Sequence, residues 1–337
     1  MSFQVDVVPL GAIPNEAEWD HTVKQAHSPV FYSSRFLNSV GAAPLLSTDS
    51  ACLLRLHGNA EAVAGIPVFR QTGIDPLRHL MPLYSKFPDL SSSSGLLSHC
   101  WHCYDSRIVS AGCGSEALQI LIDSLRTLAR KLDADYFGLV NVADPRTLAT
   151  MTSAGVRPQY MVDRYVMDLT HYASFEDYVA ALHPDSRREL RRQFRRYEES
   201  VAELAIEATP VHDLDEVVLL CRRTAARYDS EFYYPQEQTT LLLANMGEAL
   251  RLVSVRYEGE RVGALVCFLD PPKLHVWAAG MRYDRTAFSP YAIALAETIR
   301  FAIATRVQMI EGGRGNGRIK AKQGFVPLRL YACLQQT

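Results

Sequence analysis

Between Leu182 and Ser200 the chain reads LHPDSRRELRRQFRRYEES, and its apolar residues recur at helical spacing. At about 100° per residue, Leu190, Phe194 and Tyr197 fall on one face. Arg187, Arg188, Arg191, Arg192, Arg195 and Arg196 sweep out the opposite half-cylinder. Ser186 and Glu189 have the spacing of a capping box, which predicts a helix start at Ser186. Glu199 can reach Arg195 one turn back and Glu198 lies beside the Arg187–Arg191 edge, so most of the guanidinium charge has no local partner. Ser174-Phe175-Glu176-Asp177 caps another helix just upstream. A charge run is ordinarily a solvated face, but such faces interleave both signs and this one hardly does.

Elsewhere the pattern alternates as in strands, and it does so twice. LLRLHGNAEAVAGIPVF, from Leu53 to Phe69, matches LVSVRYEGERVGALVCF, from Leu252 to Phe268, at an offset of 199. Each reads as a strand, a turn carrying Gly and polar residues, and a second strand. A second echo sets Gly155-Val156-Arg157-Pro158 against Gly324-Phe325-Val326-Pro327. Between the echoes each half carries a helical pattern and a short apolar strand: Ser115 to Lys131 and Tyr136 to Val142, then Tyr291 to Ala304 and Val307 to Glu311. The order hairpin, helix, strand, short helix, strand therefore occurs twice. It predicts duplicated α/β domains with mixed sheets, 1–170 and 171–337, joined near Thr170.

Composition narrows the function. The 337 residues include 35 Lys plus Arg against 37 Asp plus Glu, for a net charge of −2. A general nucleic-acid binder would be basic, so any anion site must be local. No apolar run reaches the length of a membrane span, and MSFQVDVVPLG lacks the blocks of a signal peptide, so a cytoplasmic protein without a membrane partner is expected. Seven cysteines, an odd number, fit a reducing compartment. Cys100-Trp101-His102-Cys103, preceded by His99, is half a zinc site without a second half, and no metal is expected.

Two motifs in the C-terminal half carry a resemblance. The arginine-rich helix follows His183-Pro184-Asp185-Ser186, and Gly313-Arg314-Gly315 is followed by Lys320 and Gly324. With the repeated element order, the chain resembles the GNAT superfamily of N-acyltransferases. Its tandem arrangement resembles the Fem-type branch, whose characterised members add amino acids from aminoacyl-tRNA to amines. The resemblance implies an α/β (α+β) fold of two tandem GNAT-like domains, each a mixed central sheet flanked by helices. It also implies that residues 171–337 carry the acyl-transfer site. The first half reads FGLVNVADP where the second has Gly-Arg-Gly, which makes it the non-catalytic partner.

Amide formation from an ester or thioester needs a deprotonated amine, a stabilised oxyanion and an aligned donor. In the GNAT fold the donor carbonyl sits where two strands splay, here Leu274 to Gly280 and Val307 to Glu311. Glu311, at the end of the second, is the expected proton acceptor; the bland alternative is a solvated carboxylate paired with Arg314. Arg314 and Lys320 lie in GGRGNGRIK, where backbone can approach an anion. Such a turn can also need glycine only for its φ angles, and the resemblance tips the reading toward function. Tyr283 and Tyr291 flank the loop between strand and helix and could give a proton to the leaving group. That loop, Arg282 to Ala292, lacks the glycines with which a GNAT domain cradles the coenzyme A pyrophosphate. Ser289 can still cap the helix and Pro290 fits its first turn. Donor binding is therefore assigned to the six arginines with Ser289 and Arg314, arginine being suited to bidentate phosphate contact. Asp229, Glu231, Tyr233 and Tyr234, in an aromatic-rich loop, form an acceptor pocket or a lid. The expected function is an amide-forming N-acyltransferase using aminoacyl-tRNA. The alternatives are an acyl-CoA (acetyl-CoA) donor and, second, a non-catalytic nucleotide- or tRNA-binding protein on the same scaffold. No permanently bound cofactor is expected; the acceptor is a small-molecule or peptide amine, and the protein a monomer or homodimer.

Overall fold

The computed structural model describes residues 3–58, 61–208 and 211–337. The chain forms two compact units, Met1–Asp163 with Arg329–Thr337, and Arg164–Leu328. In chain order the elements up to the unit boundary are β1 (Phe3–Pro9), α1 (Glu16–Gln25), α2 (Ser34–Ala42), β2 (Ser50–Gly58), β3 (Glu61–Thr72), β4 (Ser94–Ser98), β5 (Val109–Ser110), α3 (Ser115–Lys131), β6 (Tyr136–Val142), α4 (Pro145–Ser153) and β7 (Gln159–Asp168). They are followed by α5 (Phe175–Ala181), α6 (Pro184–Glu198), β8 (Glu203–Ala208), α7 (Leu214–Ala226), α8 (Gln236–Asn245), β9 (Leu250–Tyr257), β10 (Glu260–Asp270), β11 (Lys273–Met281), α9 (Pro290–Ala304), β12 (Met309–Arg314), α10 (Gly317–Lys322) and β13 (Val326–Gln336).

Both units have one topology. The first orders its strands β1-β2-β3-β4-β6-β13, with β4 and β6 parallel and the other neighbours antiparallel. The second orders them β8-β9-β10-β11-β12-β7, again with one parallel pair, β11 with β12. The repeated hairpins agree to the residue. Leu53 faces Pro67 and Leu54 faces Ile66, while at the offset of 199 Leu252 faces Val266 and Val253 faces Leu265. The predicted turn of the first hairpin includes residues 59 and 60, which lie outside the described residues. Gly155 and Gly324 both take positive φ, +83° and +88°, directly after α4 and α10. A left-handed residue closes such a helix and only glycine adopts it without cost, which is why the Gly-x-x-Pro echo was visible.

The boundaries differ from the expected 1–170 and 171–337. The last strand of each sheet comes from the other half of the sequence. β7 follows α4 but pairs with β12 (Met309 opposite Asp168, Ile310 opposite Met167), and β13 follows α10 but pairs with β6 (Cys333 opposite Leu139). The two strands occupy equivalent places after equivalent helices, so their patterns suit either sheet and do not name a partner.

In the second unit, α5, α6 and α9 share one core with the sheet, in which Leu190, Ile293, Ile299, Leu274 and Ile310 are buried. Leu190, Phe194 and Tyr197 do face that core; burying a leucine is worth roughly 1.5–3 kcal/mol. α6 begins earlier than predicted. His183 caps it, its Nδ1 accepting from the Asp185 amide at 3.3 Å, and Pro184 takes the first position. Proline there has its φ preset and no amide to leave unpaired, so Ser186 is already inside the helix. The capping box at Ser174 and Asp177 is present as predicted. Among the described residues no helix is long and apolar enough to cross a membrane.

The strand exchange has a direct consequence. A fragment of residues 171–337 lacks β7 and leaves β12 with an unpaired edge, whereas residues 159–328 keep the second sheet whole. Far-ultraviolet circular dichroism on heating is expected to show cooperative unfolding for 159–328 and none for 171–337; a cooperative transition in 171–337 would contradict the exchange.

Candidate functional site

The parallel pairing of β11 with β12 is brief. It runs from Lys273 opposite Met309 to His275 opposite Glu311, although β11 continues to Met281 and β12 to Arg314. Two irregularities part the strands. The register of β10 on β11 slips between Val266 and Cys267, which leaves Trp277 as an extra residue. The register of β12 on β7 slips between Glu311 and Arg314, where Gly313 has φ +68°. A bulge of this kind bends its strand and ends pairing. Gly312 is required for a different reason: a Cβ there would lie 2.8 Å from the ring of Phe325. The outcome is a fork whose closed end is Glu311.

The bland alternative for Glu311, a solvated strand-end carboxylate, does not hold, because β12 runs on to Arg314 and the side chain is fully buried. Strand alternation puts it and His275 on the face opposite Leu274 and Ile310. It pairs with Arg164 Nε at 3.5 Å and Lys273 Nζ at 4.0 Å, not with Arg314. A buried carboxylate is tolerable only with such counter-charges. Neither carboxylate oxygen accepts a hydrogen bond from the described residues, so both keep acceptor capacity. Sequence reasoning missed Arg164 and Lys273. The one available signal was an arginine inside the strand pattern MVDRYVMD.

The turn after β12 is tied down from within. Lys320 Nζ donates to the carbonyl oxygens of Gly313 at 3.1 Å and Arg314 at 3.0 Å, and lies 5.4 Å from the centre of the Tyr165 ring. Burial and the neighbouring Arg314 lower its ammonium to about 7. Arg314 Nη2 donates to the Tyr233 hydroxyl at 3.0 Å. Tyr233 stands edge-on to Tyr234, and Tyr234 edge-on to the bulged Trp277. Glu311, Arg314, Lys320, Tyr233 and Tyr234 are thus gathered around one fork. Asp229 and Glu231 are exposed in the same connection and have no ion-pair partner among the described residues.

The arginine helix packs beside the start of α9. Ser289 caps α9 by accepting from the Ala292 amide at 3.3 Å, with Pro290 in the first turn, as expected. The Ser289 amide donates to Oε1 of Gln193 at 2.6 Å, and Arg196 donates to the Ala287 carbonyl at 3.0 Å. The arginine face is less pure in sign than its sequence implied, because Arg188 pairs with Asp185 and Arg192 with Glu189, each at 2.6 Å. Arg187 donates to the Ala180 carbonyl. Arg191 and Arg195 are exposed and without a carboxylate partner among the described residues. Tyr291 is pushed up to about 12 by burial, and Tyr283, half-exposed with Arg227 over its ring, is raised by the same cause. Both phenols keep their protons at neutral pH.

The first unit repeats this geometry without the charges. Matched on the parallel pair, where Leu96 opposite Phe137 takes the core place of Leu274 opposite Ile310, it sets Gly138 where the second has Glu311. It too has a left-handed residue near the strand end, Asn141 (φ +60°). In the same unit His99 is buried, its Nε2 lying 3.0 Å from the Phe31 carbonyl oxygen, and burial lowers it to about 3. Among the described residues no cluster of three or more His, Cys, Asp or Glu could hold a metal.

Comparison with known structures agrees with this architecture. FemX is similar at a TM-score of 0.67 and 10% identity, over 99% of this chain and 98% of that one. L-PGS from Bacillus licheniformis gives 0.60 at 10% identity, over 96% and 92%. A tandem GNAT protein from the clavulanic acid biosynthesis pathway gives 0.56 at 13% identity, over 99% and 98%. No curated protein sequence matches significantly. Residues 106–335 match the family model FemAB-like, described as peptidoglycan biosynthesis/recognition. The match spans the fork, the arginine helix and the turn held by Lys320, and the chain belongs to the FemAB-like family, with the tandem GNAT-like fold.

Proposed function

We propose that the protein is a transferase that forms an amide by direct attack of an amine on an aminoacyl ester, with aminoacyl-tRNA as donor. The observation that carries the reading is the fork between β11 and β12, with a buried, counter-charged carboxylate at its closed end and a lysine-held glycine turn at its mouth. Unpaired strand edges there can hold an extended acyl group by its backbone polar atoms. The amine nitrogen bonds to the ester carbonyl carbon, and the bond from that carbon to the ribose oxygen breaks. In this reading Glu311 takes the amine's proton, and its two unfilled acceptor oxygens support the assignment. Lys320, with two of its protons spent on carbonyls, has a third for the developing oxyanion. Tyr283 or Tyr291 gives a proton to the leaving oxygen. Tyr233 and Tyr234, with Asp229 and Glu231, receive the acceptor amine, and the family's description supports a peptide amine of the peptidoglycan type. The first unit, with Gly138 in place of the carboxylate, serves as the non-catalytic partner.

Acyl-coenzyme A is the weaker donor in this reading. The loop before α9 has no glycine, and the Ser289 amide that would face a pyrophosphate already donates to Gln193. The arginines of α6, with Arg314, are assigned to the phosphates of the tRNA end. A charged tRNA is a cytoplasmic substrate, so in this reading the reaction is a cytoplasmic one.

Lys320→Ala is expected to lower kcat by about a hundredfold in an aminoacyl transfer assay, the usual effect of losing one preorganised donor. Wild-type turnover at its normal rate in a folded variant would remove Lys320 from the site. The protonated amine is the donor, and it is present below about 7. The wild-type rate should therefore fall as pH rises through that value, and the limb should be missing in Lys320→Ala.

Salt dependence tests the donor. Four phosphate contacts give a log–log slope of binding against salt of roughly −3 to −4. Changing Arg191 and Arg195 together to Ala should flatten it by about 1.5 to 2. A shallow slope unaffected by the double change, with tight acyl-coenzyme A binding, would decide for the thioester.

A further inference from the structure

A second cluster of cations and aromatics lies at the C-terminal end of β11. Arg223, Arg227, Met281, Arg282, Tyr283 and Asp284 line an open cavity of about 560 Å³. The Arg227 guanidinium lies 5.2 Å from the centre of the Tyr283 ring. Tyr283 and Tyr228, one residue beyond Arg227, are 47% and 67% exposed, so both rings have faces open to a ligand. Arg282 is held by Glu260 at 3.0 Å and stands 3.9 Å from Asp284, the one carboxylate lining the cavity. Arg223 and Arg227 have no carboxylate partner among the described residues. The loop that carries Tyr283 also accepts a hydrogen bond from Arg196 of α6. In GNAT-like domains this loop would offer glycine amides to a pyrophosphate; here it offers rings and guanidinium planes.

We propose that this cluster is a stacking site for the unpaired 3′ nucleotides of the donor RNA. The bases would lie on Tyr283, Tyr228 and Arg227, and the phosphates near Arg223. Single-stranded nucleic acid repeats both features along its length, since every base has a face to stack and every link a negative charge. Coenzyme A has a single base, whereas several rings and guanidinium planes suit the strand. The proposal rests on the RNA-donor reading above; it gives the Tyr283 ring a stacking role and leaves the proton donation to Tyr291.

The test is fluorescence anisotropy with two labelled tetranucleotides, ACCA RNA and an abasic ribose-phosphate strand of the same length. ACCA is expected to bind at least about tenfold more tightly, the worth of one or two stacked bases. Tyr283→Ala and Tyr228→Ala should each weaken ACCA by about tenfold without affecting the abasic strand. Tyr283→Phe, which keeps the ring, should bind like wild type, and Arg223→Gln should weaken both strands. Thermal unfolding confirms that each variant is folded. Equal binding of the two strands, or wild-type affinity for ACCA in both alanine variants, overturns the stacking site. So does a Tyr283→Ala variant that loses coenzyme A binding but keeps ACCA. If ACCA stacks as described and no aminoacyl transfer occurs, the site stands and the transferase reading fails. If transfer proceeds with an unchanged KM in Tyr283→Ala, the reading stands and the site fails.

Discussion

The second unit depends on one limit: β11 and β12 pair for three residues and then part. Their separation is built in by chemistry local to each strand. Trp277 is one residue too many for the register of β10. Gly312 and Gly313 permit a close approach to Phe325 and a left-handed turn that residues with a side chain resist. With the strands apart, Glu311 would be a buried charge at the end of a cleft, and Arg164 and Lys273 make that position tolerable. Lys320 then fixes the turn by donating to the carbonyl oxygens of Gly313 and Arg314. Without Lys320 the Gly-rich turn would have no internal brace, and Arg314 would lose the backbone that aims it at Tyr233.

The sequence disclosed what is local. The offset between the hairpins survives as an identical register, because alternation and turn length specify pairing over short range. Gly155, Gly324, Ser174 and Ser289 were readable because each satisfies a helix end with its own side chain or φ angle. The exchange of β7 and β13 was not readable, since the two strands have the same place in the repeat and the choice between sheets is made by long-range packing. The same holds for Glu311. Its residue type and motif position pointed to chemistry, but its partners lie on β7 and β11, far away in sequence. At α6 the face of Leu190, Phe194 and Tyr197 was legible from periodicity, whereas the helix start was not: a histidine cap followed by proline competes with a serine three residues later.

The arginine helix shows how local pairing reshapes a charge pattern. Asp185 and Glu189 take Arg188 and Arg192, pairs that on an exposed surface contribute little to stability and do not prevent either guanidinium from meeting a phosphate. Gln193 matters more to the site than either pair. It is buried on the underside of the helix and occupies the Ser289 amide, so α6 both docks on α9 and closes the donor group that a pyrophosphate would use. One helix therefore presents cations on its outer face and removes an anion site beneath it. That combination suits a ligand spread over many phosphates better than one concentrated in a diphosphate.

The two units differ at a position where their shared topology does not require it. They have the same strand order, the same single parallel pair and a left-handed residue near the strand end before the last helix, yet only the second has a carboxylate at the fork. The first unit has Gly138 there, and a Cβ at that position would lie 1.9 Å from the Cys333 carbonyl oxygen. An uncharged residue is the cheaper solution at such a site, because it needs no counter-charge. The second unit bears the cost of a buried glutamate and of two basic residues to neutralise it. A fold that the first unit completes with glycine does not need that arrangement for stability, which supports the catalytic role proposed for Glu311.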